Sequence, residues 1–130
     1  MLQRFAAGSA IASMGIAFAA LVVLLTPALG PQRFYPVTIV WCLLPAVWGL
    51  WAMLAPKAWV PERFPLWGAI LGLAVGLFVA FVLNLHSLVL GTAVPAPLRG
   101  LTVLLLVGVY YLLWMLVRVV CRRLAAPPSA

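Results

Sequence analysis

The chain has 130 residues, of which 68% are hydrophobic and 7% are charged. A water-soluble domain carries about 25% charged residues, so this composition excludes an ordinary soluble fold and predicts an integral membrane protein. The net charge is +7, with Glu62 as the one acid, and the bases stand near the ends of apolar stretches, so we expect them to meet lipid headgroups and not nucleic acid.

The hydrophobic pattern predicts an all-α integral membrane protein, a single four-transmembrane-helix bundle that occupies residues 1–130. Each apolar run is close to the length of about 20 residues that a helix needs to cross the hydrocarbon core. The predicted spans are about 6–29, 36–55, 66–91 and 98–120, the loops are 30–35, 56–65 and 92–97, and the basic tail is 121–130.

The first span carries a stripe of small residues at every fourth position: Ser9, Ser13 and Ala17. Such a stripe permits close approach of another helix. A cleaved signal peptide ending at 28–30 is an alternative, but the length of the apolar run and the proline at position 31 favour a retained span. The Thr26–Pro27 pair predicts a kink or an end near the close of this span.

The second span contains Pro45 near its middle. A proline there removes one backbone hydrogen bond, so we expect a bend that leaves the Trp41 carbonyl in need of another partner. Together with Gly49, the face that carries Trp41 and Trp48 could line a cavity for a lipid tail, a quinone or a pigment. The alternative is an ordinary bent helix whose tryptophans face lipid.

The third span carries the strongest pattern, a glycine zipper with one register: Gly68, Gly72, Gly76, Ala80 and Asn84. Steps of four align on one helix face, so this span presents a groove that is nearly free of side chains and ends at one amide. We expect another helix to pack into the groove, with the stripe of the first span as its natural partner, and Asn84 to form an interhelix hydrogen bond.

His86 follows two residues after Asn84 and is the only histidine. A neutral imidazole is a common ligand, so haem, chlorophyll or a metal ion at His86 is one interpretation. No second histidine, cysteine or carboxylate accompanies it within a span, so the other interpretation is an interfacial histidine that touches water or headgroups. No metal site is predicted.

The fourth span ends in a basic cluster, Arg118, Arg122 and Arg123, which either holds an anionic lipid headgroup or acts as a stop-transfer anchor. Six Lys and Arg fall at the chain ends and the middle loop, against two in the other loops. The positive-inside rule therefore predicts a multi-pass protein of the inner (plasma) membrane with both termini cytoplasmic. Abundant Ala, Gly and Pro with a single Lys suggest a GC-rich bacterial source.

The chain offers few groups for catalysis. No span contains a carboxylate, and Glu62 and His86 are expected at opposite faces of the membrane, so we predict no enzyme. Cys42 and Cys121 are expected too far apart for a disulfide. The predicted function is an accessory or structural subunit that packs against other membrane subunits or itself. The alternatives are a small transporter, pore or holin-like protein, and a carrier of haem, chlorophyll or quinone that uses His86.

Overall fold

Prolines mark the beginnings of the later helices. The first N–H groups of a helix have no hydrogen-bond partner within the helix. A proline there therefore removes no helix hydrogen bond, and its fixed φ suits the helix. The computed structural model describes residues 1–26, 35–84, 87 and 91–125. In it Pro36, Pro65 and Pro97 are each the second residue of a helix.

The prediction of an all-helical chain is confirmed for the residues that the structure describes, which form four helices and no strand. The helices are α1 (Leu2–Leu25), α2 (Tyr35–Leu54), α3 (Phe64–Leu77), which continues as a π-helical turn (Phe78–Val82), and α4 (Ala96–Ala125); a short 3-10 helix covers Lys57–Trp59. By length and composition α1, α3 with its π turn and α4 could each cross a membrane, whereas the apolar stretch of α2, Val40–Leu54, is shorter.

Two helix ends differ from the predicted span limits. The first span was expected to reach residue 29, but α1 ends at Leu25 and Thr26 has φ −115° and ψ 83°. A residue that precedes a proline is disfavoured in the α region, so the Thr26–Pro27 pair stops the helix. At the other end, α4 extends through 121–125, which were assigned to the tail, because Arg and Leu favour helix and the next proline is at position 127.

The third helix is shorter than the predicted span 66–91. It ends with the π turn, in which the Leu83 N–H donates to the Phe78 carbonyl oxygen over 2.9 Å. This wider turn shifts the register of the residues that follow it. Asn84 then has a φ of 45°, in the left-handed region that commonly ends a helix.

The described helices belong to two packed units. The first comprises Met1–Pro56 and Val119–Ala130, and the second comprises Lys57–Arg118. In the first unit α1 and α2 run antiparallel, with Phe5 near Gly49 and Ser9 near Pro45. In the second unit α3 and the earlier part of α4 are also antiparallel.

Burial is uneven among the apolar side chains. In the second unit Trp114, Phe64 and Val117 are each 0% exposed, and the Phe64 and Trp114 rings meet edge to face with centroids 5.8 Å apart. In the first unit the second half of α1 is largely uncovered, and Phe18 is 69% exposed. Three long apolar helices with such exposed faces are compatible with a membrane localisation.

Candidate functional site

The glycine stripe of α3 lies against α4. At three glycines of the stripe an added Cβ would meet a side chain of α4: Gly68 meets Trp114, Gly72 meets Tyr110 and Gly76 meets Val103. At Gly68 the added atom would overlap the Trp114 indole, and at Gly72 it would lie 2.7 Å from the Tyr110 Cβ. The absence of side chains on α3 therefore lets aromatic residues of α4 reach its backbone.

The partner of this stripe differs from the expected one. We expected the first helix, through Ser9, Ser13 and Ala17, but the groove is occupied by α4. A stripe of small residues indicates where a helix can come close, and the shape of the opposing side chains decides which helix does so. Ala80, the next small residue along α3, is 0% exposed.

Ser9 has a different role beside Pro45 of α2. Its Oγ donates a 2.8 Å hydrogen bond to the carbonyl oxygen of Pro45. Ser13 Oγ donates to the Ser9 carbonyl oxygen of its own helix over 2.9 Å. Of the two serines, only Ser9 forms a side-chain hydrogen bond between α1 and α2.

The part of α2 that carries Trp48 and Gly49 packs against α1. A Cβ added to Gly49 would collide with Ser9 Oγ and the Phe5 ring, and one added to Gly8 would lie 2.8 Å from the Trp48 carbonyl oxygen. Trp48 itself is 2% exposed. At Trp48 and Gly49 this face of α2 is a close helix contact, and binding of a lipid tail, a quinone or a pigment beside Trp41 stays a prediction.

Asn84 acts through its backbone. Its left-handed φ ends the helix, and its carbonyl oxygen accepts hydrogen bonds from the Ser87 N–H (2.9 Å) and the Ser87 Oγ (2.8 Å). The Asn84 side-chain oxygen is buried and has no hydrogen-bond partner in the described structure. The expected interhelix hydrogen bond is not formed at this oxygen among the described residues, and a hydrogen bond donated by the Asn84 amide N–H group stays a prediction.

His86, the proposed cofactor ligand, lies outside the described residues. Among the residues that the structure does describe, no group of three His, Cys, Asp or Glu side chains could hold a metal ion. Haem, chlorophyll or quinone binding stays a prediction.

The basic cluster of α4 is divided between the two units. Arg118 is half-buried, and its Nε is buried with no hydrogen-bond partner within the described part of the chain. Arg122 and Arg123 are exposed at the end of the helix. Both cysteines are free, with Cys42 exposed and Cys121 half-buried.

Sequence reasoning missed a cluster of aromatic and basic side chains before α3. The Trp59 and Trp67 rings meet edge to face with centroids 5.9 Å apart, and the Arg63 Cζ lies 6.0 Å from the centre of the Trp59 ring. We call Trp59, Arg63 and Trp67 the indole–arginine cluster. Its members stand four residues apart, and this spacing is the signal in the sequence that could have revealed it.

One face of α4 remains uncovered inside its own unit. Among the described residues, a Cβ added to Gly100 or Gly108 would meet nothing within 4 Å. The same side of the helix carries exposed residues, and we call the whole set the outer face of α4: Gly100, Leu104, Gly108, Tyr111 and Met115. The opposite side, with Val103, Tyr110 and Trp114, is buried.

Beside this face, an apolar groove of about 570 Å³ runs between the π turn and the beginning of α4. Its walls are apolar or glycine throughout: Leu77, Phe81, Pro97, Gly100, Leu101, Val103 and Leu104. The groove therefore offers contact to apolar chains or helices and no hydrogen-bonding side chain.

Comparison of the chain with protein-family models, with curated proteins and with solved structures finds no match.

Proposed function

We propose that the chain is a structural subunit that packs against other helices of a membrane complex and catalyses no reaction. Its internal contacts use one side of each helix and leave other apolar sides exposed. In α1, for example, 17% of an apolar stretch of 18 residues is buried. Such surfaces suit a protein whose remaining neighbours are lipid or other membrane helices.

The outer face of α4 carries this proposal. Gly108 exposes backbone, and a glycine inside a helix costs up to about 1 kcal/mol relative to alanine, a cost that no contact among the described residues offsets. Lipid gains nothing from an exposed backbone, whereas another helix can approach it closely. The exposed glycine therefore supports a partner helix, rather than lipid, at this face.

Tyr111 lies beside Gly108 and gives the outer face one polar group. It is 39% exposed and stands about 22 Å along α4 from Ala96, at a depth where a spanning helix crosses hydrocarbon. A phenol hydroxyl exposed to hydrocarbon is costly unless it finds an acceptor. A neighbouring helix supplies backbone or side-chain acceptors, and lipid tails do not.

The first helix supports the same proposal. Ala10, Ser13 and Ala17 are exposed and share the side of α1 that faces away from α2. They offer a second surface of small residues along which another helix could pack.

We further propose four membrane spans, with both termini cytoplasmic, in the inner membrane of a bacterium. The count of six basic residues against two supports this orientation. Gln3 Nε2 donates to the Leu124 carbonyl oxygen over 3.4 Å, so the beginning of α1 and the end of α4 lie side by side. An even number of spans brings both termini to one face of the membrane.

Purification from native membranes in mild detergent tests the proposal. We expect the chain to elute with a stoichiometric membrane partner, or as a defined oligomer of itself. Gly108→Leu, which fills the outer face, should abolish this association, and Tyr111→Phe should weaken it. Val109→Phe is the matched control, because Val109 is 44% exposed on a different side of α4. A monodisperse monomer without a partner would contradict the proposal.

Two other functions that the sequence suggests have their own tests. A transporter, pore or holin-like protein should release a dye or an ion from liposomes that contain the purified chain, and Gly72→Leu should abolish the release. A carrier of haem, chlorophyll or quinone should show an absorption band that His86→Ala removes.

A further inference from the structure

The indole–arginine cluster is held by a well-bonded backbone turn. The Arg63 N–H donates to the Trp59 carbonyl oxygen over 2.8 Å, and the Trp67 N–H donates to the Arg63 carbonyl oxygen over 3.1 Å. These two successive bonds place the three side chains one helical turn apart. The cluster is thus positioned by backbone geometry before any ligand arrives.

Positive charge at this turn is open to the surroundings. Arg63 and Lys57 are both exposed. Glu62, the only acid of the chain, takes part in an interaction within the structure. A guanidinium carries its N–H donors along its edge, so the contact of Arg63 with the Trp59 ring leaves donors for an anion.

From this arrangement we propose that the turn binds the headgroup of an anionic phospholipid. Arg63 and Lys57 contact the phosphate, and the Trp59 and Trp67 rings, both half-buried, lie at the boundary between headgroup and acyl chain. Indoles prefer that boundary because one part of the ring is apolar and its N–H is polar. Basic residues beside it attract anionic lipids.

This assignment commits to a lipid and not to a free phosphate, because two indole rings add apolar contact that only a lipid can use. It also stands apart from the docking proposal, since none of its residues belongs to the outer face of α4. Failure of one proposal therefore leaves the other intact.

Tryptophan quenching by brominated lipids tests the site on the full chain. The protein is reconstituted in phosphatidylcholine vesicles that contain phosphatidylglycerol, and one lipid at a time is brominated near the top of its acyl chains. We expect brominated phosphatidylglycerol to quench the tryptophan fluorescence more strongly than its mole fraction in the bilayer predicts. The relative association constant for phosphatidylglycerol should fall about fivefold in Arg63→Gln, which is the effect of one basic residue at the surface.

The matched control removes one charge elsewhere in the same unit. Arg99 donates through Nε to the Val94 carbonyl oxygen over 2.8 Å at the beginning of α4, and Arg99→Gln should leave the preference unchanged. Arg63→Lys should retain most of it. If Arg63→Gln does not fold, Lys57→Gln replaces it, because Lys57 is exposed.

Three results would overturn the assignment. The wild-type protein could show no preference for the anionic lipid. Arg63→Gln and Arg99→Gln could lower the preference equally, which would indicate a general effect of charge. Inorganic phosphate added at the same ionic strength as a chloride control could abolish the preference, which would indicate an anion site that does not require a lipid.

Discussion

The indole of Trp114 occupies the space that a side chain at position 68 would need. Trp114 is 0% exposed, so its ring cannot move outward without leaving the core of its unit. The contact between α3 and α4 therefore depends on the absence of a single Cβ.

We expect Gly68→Ala to lower the free energy of unfolding by about 1–3 kcal/mol, the usual cost of overpacking a filled site. Gly108→Ala is the control, because an added Cβ there meets nothing within 4 Å in the described part of the chain and replacement of glycine favours the helix. Thermal unfolding in detergent, followed by intrinsic fluorescence, compares the two variants. Equal unfolding temperatures would contradict the close contact at Gly68.

The same contact predicts that a smaller side chain on α4 makes room for a larger side chain on α3. Trp114→Ala should cost about 3–5 kcal/mol, because it leaves a cavity in the core. Adding Gly68→Leu to that variant should restore part of the loss, since the new side chain enters the vacated space. A double-mutant cycle on unfolding free energies measures the coupling. Strictly additive effects would show that the two positions do not share this space.

The hydrogen bond from Ser9 to Pro45 predicts a difference between two serines of α1. Ser9→Ala removes a 2.8 Å bond between helices and should cost about 1 kcal/mol. Ser13→Ala removes a bond within one helix and should change stability by less than about 0.5 kcal/mol. Chemical unfolding of the purified chain distinguishes them, and an equal loss in both variants would contradict this role of Ser9.

Substitutions at Asn84 test whether its left-handed backbone conformation or its side-chain amide stabilises the structure. Its φ of 45° is favourable for glycine, so Asn84→Gly should retain or raise stability. Asn84→Val should lose about 1–3 kcal/mol, because a β-branched residue is strained in this region. A large loss in Asn84→Gly would instead show that the side-chain amide is needed, as the sequence first suggested.

Sequence pattern predicted the helices better than it predicted their neighbours. Apolar length and the prolines at 36, 65 and 97 indicate where helices form and begin. The glycine stripe indicates a close contact, but Trp114 as its occupant depends on the shape of another helix. The π turn at Phe78–Val82, which separates Asn84 from the glycine stripe, has no recognisable signal in the sequence.

The candidate sites show the same limit. The spacing of Trp59, Arg63 and Trp67 is visible in the sequence, but the prolines at 56, 61 and 65 disfavour a continuous helix, so spacing alone does not predict that the three side chains meet. The outer face of α4 could not be identified from the sequence, because its apolar residues resemble those of the buried side. Only the structure separates the open Gly108 from the covered Gly72.

Crosslinking in the native membrane tests the docking proposal most directly. A photoreactive leucine analogue is placed at Leu104 or Leu112, which lie one turn to either side of Gly108 and are 68% and 61% exposed. Leu73 of α3, which is 46% exposed, serves as the control position. We predict a discrete adduct with another polypeptide at Leu104 and Leu112, and lipid adducts at Leu73. Lipid adducts alone at all three positions would contradict the proposal.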